Sequence, residues 1–186
     1  MNTKAIATIA TFTALTIVLN LSPIKIPAPY APYLIYQVWE IPIVAAFLLY
    51  GITVGVAIAL INTAMLFIVF PGTLPTGPLY NLAAVLSMLF GIVLAKAFFK
   101  KKLQAERETL LATLSTGFGI IFRVSVMSFV NWAFLRFPPP VGFNMPEAAI
   151  LVALPLIAFF NATLALYTIP MGYAVAKATK VGVKAI

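Results

Sequence analysis

The sequence lacks most of the side chains with which proteins hold metals or carry out acid–base chemistry. Its 186 residues include no cysteine and no histidine, and its four acidic residues are all glutamates: Glu40, Glu106, Glu108 and Glu147. Without cysteine there are no disulfides, no thiolate metal sites and no cysteine nucleophile. Without histidine or aspartate, most metal centres and general bases are missing as well. We therefore expect a protein that is not an enzyme, holds no metal and carries no cofactor.

Charge is also scarce. Only 9% of the residues are charged and 63% are hydrophobic, with a mean hydropathy of +1.08. In a soluble domain about a quarter of the residues are charged. A membrane-spanning helix needs about 20 apolar residues, so a chain of this length holds roughly five or six of them with short loops. We expect a single integral membrane domain over residues 1–186.

The apolar runs predict an all-α protein with six transmembrane helices in a compact bundle. The expected helices are about 3–21, two within 34–70 that are joined by a tight turn near Tyr50–Gly55, 79–99, 109–134 and 147–178. The first run resembles a signal peptide but has no small-residue cleavage site, so we interpret it as a retained helix. The proline-rich segment 22–33 is expected to be a stiff extended loop, either a lid or a simple connector.

The basic residues predict how the bundle is oriented. The net charge of +8 would suit a nucleic acid, but lysines and arginines cluster at the ends of apolar runs, which favours membrane orientation and no nucleic-acid partner. Nine of them fall on one predicted side: Lys4, Lys96, Lys100, Lys101, Lys102, Arg107, Lys177, Lys180 and Lys184. The other side has only Lys25 and Arg136. Both termini are therefore expected in the cytoplasm. The Pro/Gly-rich connections 22–33, 71–78 and 135–146 are then expected on the outer side of the membrane, around the ends of the helices.

A few polar residues interrupt the apolar runs. Glu40 begins a helix beside Pro42, either as a cap on the positive helix end or as a pocket carboxylate. Asn81 lies in the first turn of a helix, just after a connection rich in proline and glycine. Its amide could hydrogen-bond another helix or contact a ligand. Arg123 at mid-span must find a partner or water. The first helix has small residues at helical spacing, Ala7 and the small-xxx-small pair Ala10 and Ala14. They let another backbone approach closely, either within the bundle or from a partner.

Four stretches of the sequence resemble a known family. They are Ala10-Thr-Phe-Thr-Ala14, Tyr36-Gln-Val-Trp-Glu40-Ile-Pro42, Thr76-Gly-Pro-Leu-Tyr-Asn81 and Pro155–Asn161. With the size and helix count, they make the whole chain similar to the substrate-binding S components of energy-coupling factor (ECF) vitamin transporters. The riboflavin-specific branch is the most similar. It usually has a lysine where this chain has Leu164, and its acidic motif at the second helix is denser.

The resemblance implies a multi-pass protein of a prokaryotic cell membrane that binds riboflavin as a transported substrate. It implies docking through Ala7, Ala10 and Ala14 onto a transmembrane T subunit coupled to two ABC-type ATPases. The residues implied to hydrogen-bond the flavin are Glu40, Asn81, Asn131 and Asn161. Those implied to form aromatic walls are Tyr33, Tyr36, Trp39, Tyr80 and Trp132.

Other interpretations stay open at this point. One is an S component for another vitamin or precursor, such as a thiamine-like, pantothenate-like or queuosine-precursor ligand. Another is a membrane assembly protein without a small ligand, and a third is a small intramembrane enzyme. The distinguishing observation is whether the outer loops close over a pocket lined by Glu40, Asn81 and Asn131, because a scaffold would fill that space with leucine and phenylalanine.

Overall fold

The computed structural model describes residues 3–69, 74–99 and 108–184. These residues form six α-helices and one two-stranded antiparallel sheet. The elements are α1 (Thr3–Leu21), β1 (Ile26–Ala28), β2 (Ala31–Tyr36), α2 (Glu40–Tyr50), α3 (Ile52–Val69), α4 (Gly77–Phe99), α5 (Glu108–Phe134) and α6 (Glu147–Lys184). Two segments of the sequence interpretation, the start of the 71–78 connection and the Lys100–Arg107 loop, lie largely outside the described residues.

The segment after α1 is extended, as expected, but it is not a loop throughout. It folds into a hairpin in which Ile26 pairs with Tyr36 and Pro27 with Ile35. The next helix begins at Glu40, the residue at which the sequence predicted its start. The apolar run 34–70 also contains the end of β2, because alternating strand residues and buried helix residues look alike in a short apolar stretch.

The expected tight turn after this helix is present at Gly51, whose φ of 94° suits glycine. The amide of Gly51 donates a hydrogen bond to the Phe47 carbonyl at 3.0 Å and closes α2. With 11 residues, α2 is about 16 Å long at 1.5 Å per residue, roughly half of a 30 Å hydrocarbon layer. Four described helices, α3 to α6, are long and apolar enough to span a membrane, whereas α1 and α2 are shorter.

The short helix α2 forms the centre of the bundle. It packs against α1, α3, α4 and α6, and its residues Ile43 and Val44 are completely buried beside Met88 of α4 and Ile169 of α6. The outer faces of the long helices are apolar instead; Val152, for example, is 75% exposed. A protein that exposes so many large apolar side chains is built for a lipid environment.

Helix α1 turns its small residues outward. Ile9, Thr13, Thr16 and Asn20 form its buried face, and the Asn20 side-chain amide donates to Asn62 Oδ1 of α3 at 3.0 Å. The face with Ala7, Ala10 and Ala14 is exposed. The small-residue pair therefore does not serve packing within this chain, which leaves the lipid or a partner as its neighbour.

Helices α4 and α5 approach closely because Gly91 has no side chain. A Cβ atom added to Gly91 would lie 2.5 Å from the carbonyl oxygen of Phe118 and 2.8 Å from the Cα of Gly119. Both atoms belong to the backbone of α5, which cannot move aside as a side chain can. The contact therefore requires glycine.

We predict that Gly91→Ala lowers the free energy of unfolding by about 1–3 kcal/mol, the usual cost of overpacking. The matched control is Gly117→Ala in α5, where an added Cβ meets nothing within 4 Å. That change should be neutral or stabilising, since alanine is the better helix former. Thermal unfolding in detergent compares the two variants, and equal melting temperatures would contradict the close approach.

Candidate functional site

A buried ion pair joins α2 and α5, and a hydrogen bond from its arginine adds α6. Arg123 of α5 and Glu40 of α2 are only 2% and 3% exposed. The guanidinium contacts the carboxylate with two nitrogens, Nη1 to Oε2 and Nη2 to Oε1, the latter at 2.9 Å. Arg123 Nε also donates to Asn161 Oδ1 of α6 at 3.0 Å. This two-pronged geometry is the strongest form of the arginine–carboxylate contact.

The pair gives Glu40 a partner that neither interpretation of this residue included. The residue does stand in the first turn of α2, where the helix dipole favours a negative charge. Its carboxylate, however, is committed to Arg123 and not exposed as a surface cap. A buried charge without a partner is very costly, so each of the two side chains requires the other.

A cavity of about 160 Å³ lies beside this ion pair. Six of the nine residues implied as substrate contacts line it: Trp39, Glu40, Tyr80, Asn81, Asn131 and Asn161. The sequence interpretation missed Gln37 and Phe160 and did not assign Arg123 to the site, although all three also line the cavity. Phe160 is adjacent to Asn161 in sequence, but only the packing of α6 shows which of its faces meets the cavity.

The side-chain amides that line the cavity differ in how many hydrogen bonds they already make to other protein groups. Asn161 is engaged at both polar atoms of its side chain, because its nitrogen donates to the Ile157 carbonyl at 2.9 Å and its oxygen accepts from Arg123. Asn131 donates to the Met127 carbonyl at 2.7 Å, which leaves its side-chain oxygen without a donor among the described residues. Asn81 is exposed at the cavity, and its side chain makes no hydrogen bond within the described part of the chain. Asn81 and the Asn131 oxygen are therefore the groups most available to a ligand.

Three of the expected aromatic walls lie outside the cavity. Tyr33 is 64% exposed on the hairpin, and Tyr36 uses its hydroxyl to hold that hairpin. Trp132 is 40% exposed and lies under the Arg136 guanidinium, 4.7 Å from its ring centroid. Trp132 follows Asn131 directly on α5, and a step of one residue turns about 100° around a helix. This step carries Trp132 away from the cavity that Asn131 lines.

The hairpin is fastened to α6 by hydroxyl groups. The Tyr36 hydroxyl lies 2.5 Å from that of Tyr30 and 2.6 Å from that of Thr163. Tyr167 of α6 donates to the Gln37 carbonyl at 2.5 Å. Loss of water contact and the hydrogen bond with Tyr36 raise the pKa of Tyr30 to about 12, so this hydroxyl stays neutral at physiological pH. These contacts place β2 against the cavity.

The opposite wall is held by a second set of contacts. Thr76 Oγ1 donates to the Pro140 carbonyl at 2.6 Å, and the Tyr80 hydroxyl donates to the Val141 carbonyl at 2.9 Å. The start of α4 is thereby tied to the connection between α5 and α6. Because its hydroxyl is used in this way, Tyr80 offers the cavity mainly its ring.

Comparison with known proteins supports the fold. No protein-family model matches the sequence, and no curated protein matches it. Among solved structures, the chain is similar to the S component of a bacterial ECF transporter, with a TM-score of 0.73 and 22% sequence identity. The similarity covers 97% of this chain and 98% of that one. The two chains therefore share their fold over their whole length.

The ion pair leads to a prediction about stability. Glu40→Gln or Arg123→Met should each lower the free energy of unfolding by about 3–5 kcal/mol, because each leaves a buried charge unpaired. The double variant should lose clearly less than the sum, because it removes both charges. Chemical unfolding followed by tryptophan fluorescence measures this coupling.

The matched control for this double-mutant cycle is the pair Glu147→Gln and Arg136→Met. Glu147 is exposed, and no salt bridge joins the two residues in the described structure. Its effects should be small and additive. Additive losses for Glu40 and Arg123 as well would show that the two charges do not depend on each other.

Proposed function

We propose that this protein is the substrate-binding S component of an ECF-type vitamin transporter. The observation that carries the proposal is the cavity beside Arg123, which keeps Asn81 and the Asn131 oxygen unengaged within a fold shared with such a component. Small-molecule sites are apolar clefts with a few placed polar groups, and this cavity has that character.

The lining favours binding over the alternative functions. A scaffold protein would fill the space with large apolar side chains, whereas here an ion pair and several amides surround it. An enzyme would require a nucleophile within reach of a base. Among the described lining residues, the acidic group is Glu40, and its oxygens are held by Arg123. Recognition of a neutral or weakly polar ligand fits this chemistry best.

In the proposed mechanism the ligand reaches the cavity from the outer side, under the hairpin β1–β2. Two hydroxyl contacts join the hairpin and the residue after it to α6, and the rings of Tyr30 and Tyr36 pack against Phe159 and Phe160. The hairpin opens when these few contacts break, and it closes again when they re-form. The exposed face of α1 with Ala10 and Ala14 then docks onto a T subunit coupled to two ATPases. In the family that the chain resembles, the S component topples in the membrane and its partners hydrolyse the ATP.

Riboflavin is the first ligand to test. Its flat ring suits the apolar walls formed by Trp39, Tyr80 and Phe160, and its polar edges suit Asn81 and Asn131. A specific observation favours a second candidate, a smaller vitamin or precursor. The cavity of about 160 Å³ is smaller than the roughly 300 Å³ of sites for drug-sized ligands. Riboflavin would require the hairpin to move outward, whereas a smaller ligand would not.

The first experiment is the absorption spectrum of the purified protein, followed by titration of riboflavin fluorescence. A tight ligand with a nanomolar dissociation constant survives purification, so a riboflavin-binding protein should carry visible flavin bands. Asn81→Leu should weaken binding by about tenfold through the loss of one hydrogen bond. Leu79→Asn serves as the control, because Leu79 is on the same turn but does not line the cavity.

A colourless protein that leaves riboflavin fluorescence unchanged would exclude riboflavin and favour the smaller ligand. Failure to bind any vitamin of a broad panel would contradict the proposed function itself.

A second experiment tests the docking face. Ala10→Trp with Ala14→Trp should abolish vitamin uptake by the assembled transporter while leaving binding unchanged, because bulky side chains prevent close helix contact. Leu15→Trp is the control, since Leu15 is also exposed, at 46%, but lies about 100° around α1 from Ala14. Uptake that survives the double change, or binding that is lost with it, would contradict this docking face.

A further inference from the structure

A second, larger cavity lies at the opposite end of the bundle from Glu40. It is a groove of about 400 Å³ between the ends of α2, α4 and α6 and the start of α5. Three lysines line it, Lys96 from α4 with Lys177 and Lys180 from α6. No acidic side chain is among the described residues that line it. The vitamin cavity does not use any of these residues, so the groove needs an explanation of its own.

Lys96 is positioned by aromatic rings. Its ammonium lies 5.1 Å from the ring centroid of Phe47 and 6.0 Å from that of Tyr173. Such cation–π contacts hold a charge at a defined place. Lys177 and Lys180 are three residues apart on α6 and thus share one helix face. The groove therefore presents three positive charges from two helices towards one space.

The helix lengths indicate where the groove lies along the membrane normal. Helix α6 has 38 residues, which gives about 57 Å at 1.5 Å per residue, far more than a hydrocarbon layer of about 30 Å. Tyr173 lies beside Lys96, which is three residues from the end of α4. Lys177 and Lys180 follow further along α6, within two turns of its end at Lys184. This places the lysines at the depth of lipid headgroups.

The walls of the groove are of mixed character. Leu48, Leu111 and Ala176 contribute apolar surface, whereas Thr109 and Tyr173 contribute hydroxyl groups. The apolar walls continue into the lipid-facing sides of the helices, and Ala174 in the same groove is exposed. A free phosphate would use only the lysines. A molecule with both an anionic head and an apolar tail uses the whole surface.

We propose that this groove binds an anionic phospholipid of the membrane leaflet at the lysine-rich end of the bundle. The phosphate lies among Lys96, Lys177 and Lys180, and an acyl chain follows the wall formed by Leu48 and Leu111. Basic pockets between transmembrane helices bind anionic headgroups in this way. The lipid thereby ties the ends of α4, α5 and α6 together at the face opposite the vitamin cavity. This proposal does not depend on which ligand the vitamin cavity takes.

The test is native mass spectrometry of the full-length protein with phosphatidylglycerol or phosphatidylcholine added at equal concentration. Phosphatidylglycerol should be retained preferentially. The double variant Lys177→Gln with Lys180→Gln should bind it about 30-fold more weakly, since each lysine near an anionic lipid surface contributes about fivefold. The matched control is Lys25→Gln with Arg136→Gln, which removes the same charge at the other end of the bundle and should leave retention unchanged.

Four results would overturn the proposal. The first three are unchanged retention in the Lys177/Lys180 variant, equal retention of the two lipids, and equal loss in both double variants. The fourth is displacement of phosphatidylglycerol by millimolar inorganic phosphate, which would indicate a simple anion site. If the Lys177/Lys180 variant keeps the lipid but co-purifies less with a T subunit, the groove serves a protein partner instead. Helical circular dichroism and vitamin binding should be the same in wild type and in the Lys177/Lys180 variant, which separates a lost lipid site from misfolding.

Discussion

The structure depends on one interaction, the buried contact of Arg123 with Glu40 and Asn161. Two charges with almost no exposure can exist inside an apolar bundle only together. Their contact fixes the start of α2 against the middle of α5 and α6. The cavity lies beside that junction, so the same pair that holds three helices also forms the polar floor of the proposed ligand site.

The two ends of the bundle carry different chemistry. The end with the hairpin has uncharged amides and aromatic rings around a cavity of about 160 Å³, closed by hydroxyl contacts. The other end has lysines around a groove of about 400 Å³. The proposed ligand site at one end and the proposed lipid site at the other suit a protein that captures a solute on one side of a membrane and works with partners inside it.

Composition and periodicity predicted the long helices well, because an apolar run of about 20 residues has few alternatives in a membrane. The hairpin that pairs Ile26 with Tyr36 could not be predicted in this way. The prolines of this segment interrupt the alternation of apolar and polar residues that would indicate a strand. The roles of Asn131 and Asn161 as ligand contacts were predicted from a resemblance. That Trp132 faces away and Arg123 faces inward depends on helix rotation, which only packing determines.

The most direct measurement is mass spectrometry of the small molecules released when the purified wild-type protein is denatured. Our account predicts one vitamin or vitamin precursor close to one equivalent per chain, clearly depleted in protein that carries Asn81→Leu and retained in protein that carries Leu79→Asn. If no such molecule is enriched, or if the two variants retain it equally, the cavity beside Arg123 is not the binding site and the proposed function is wrong.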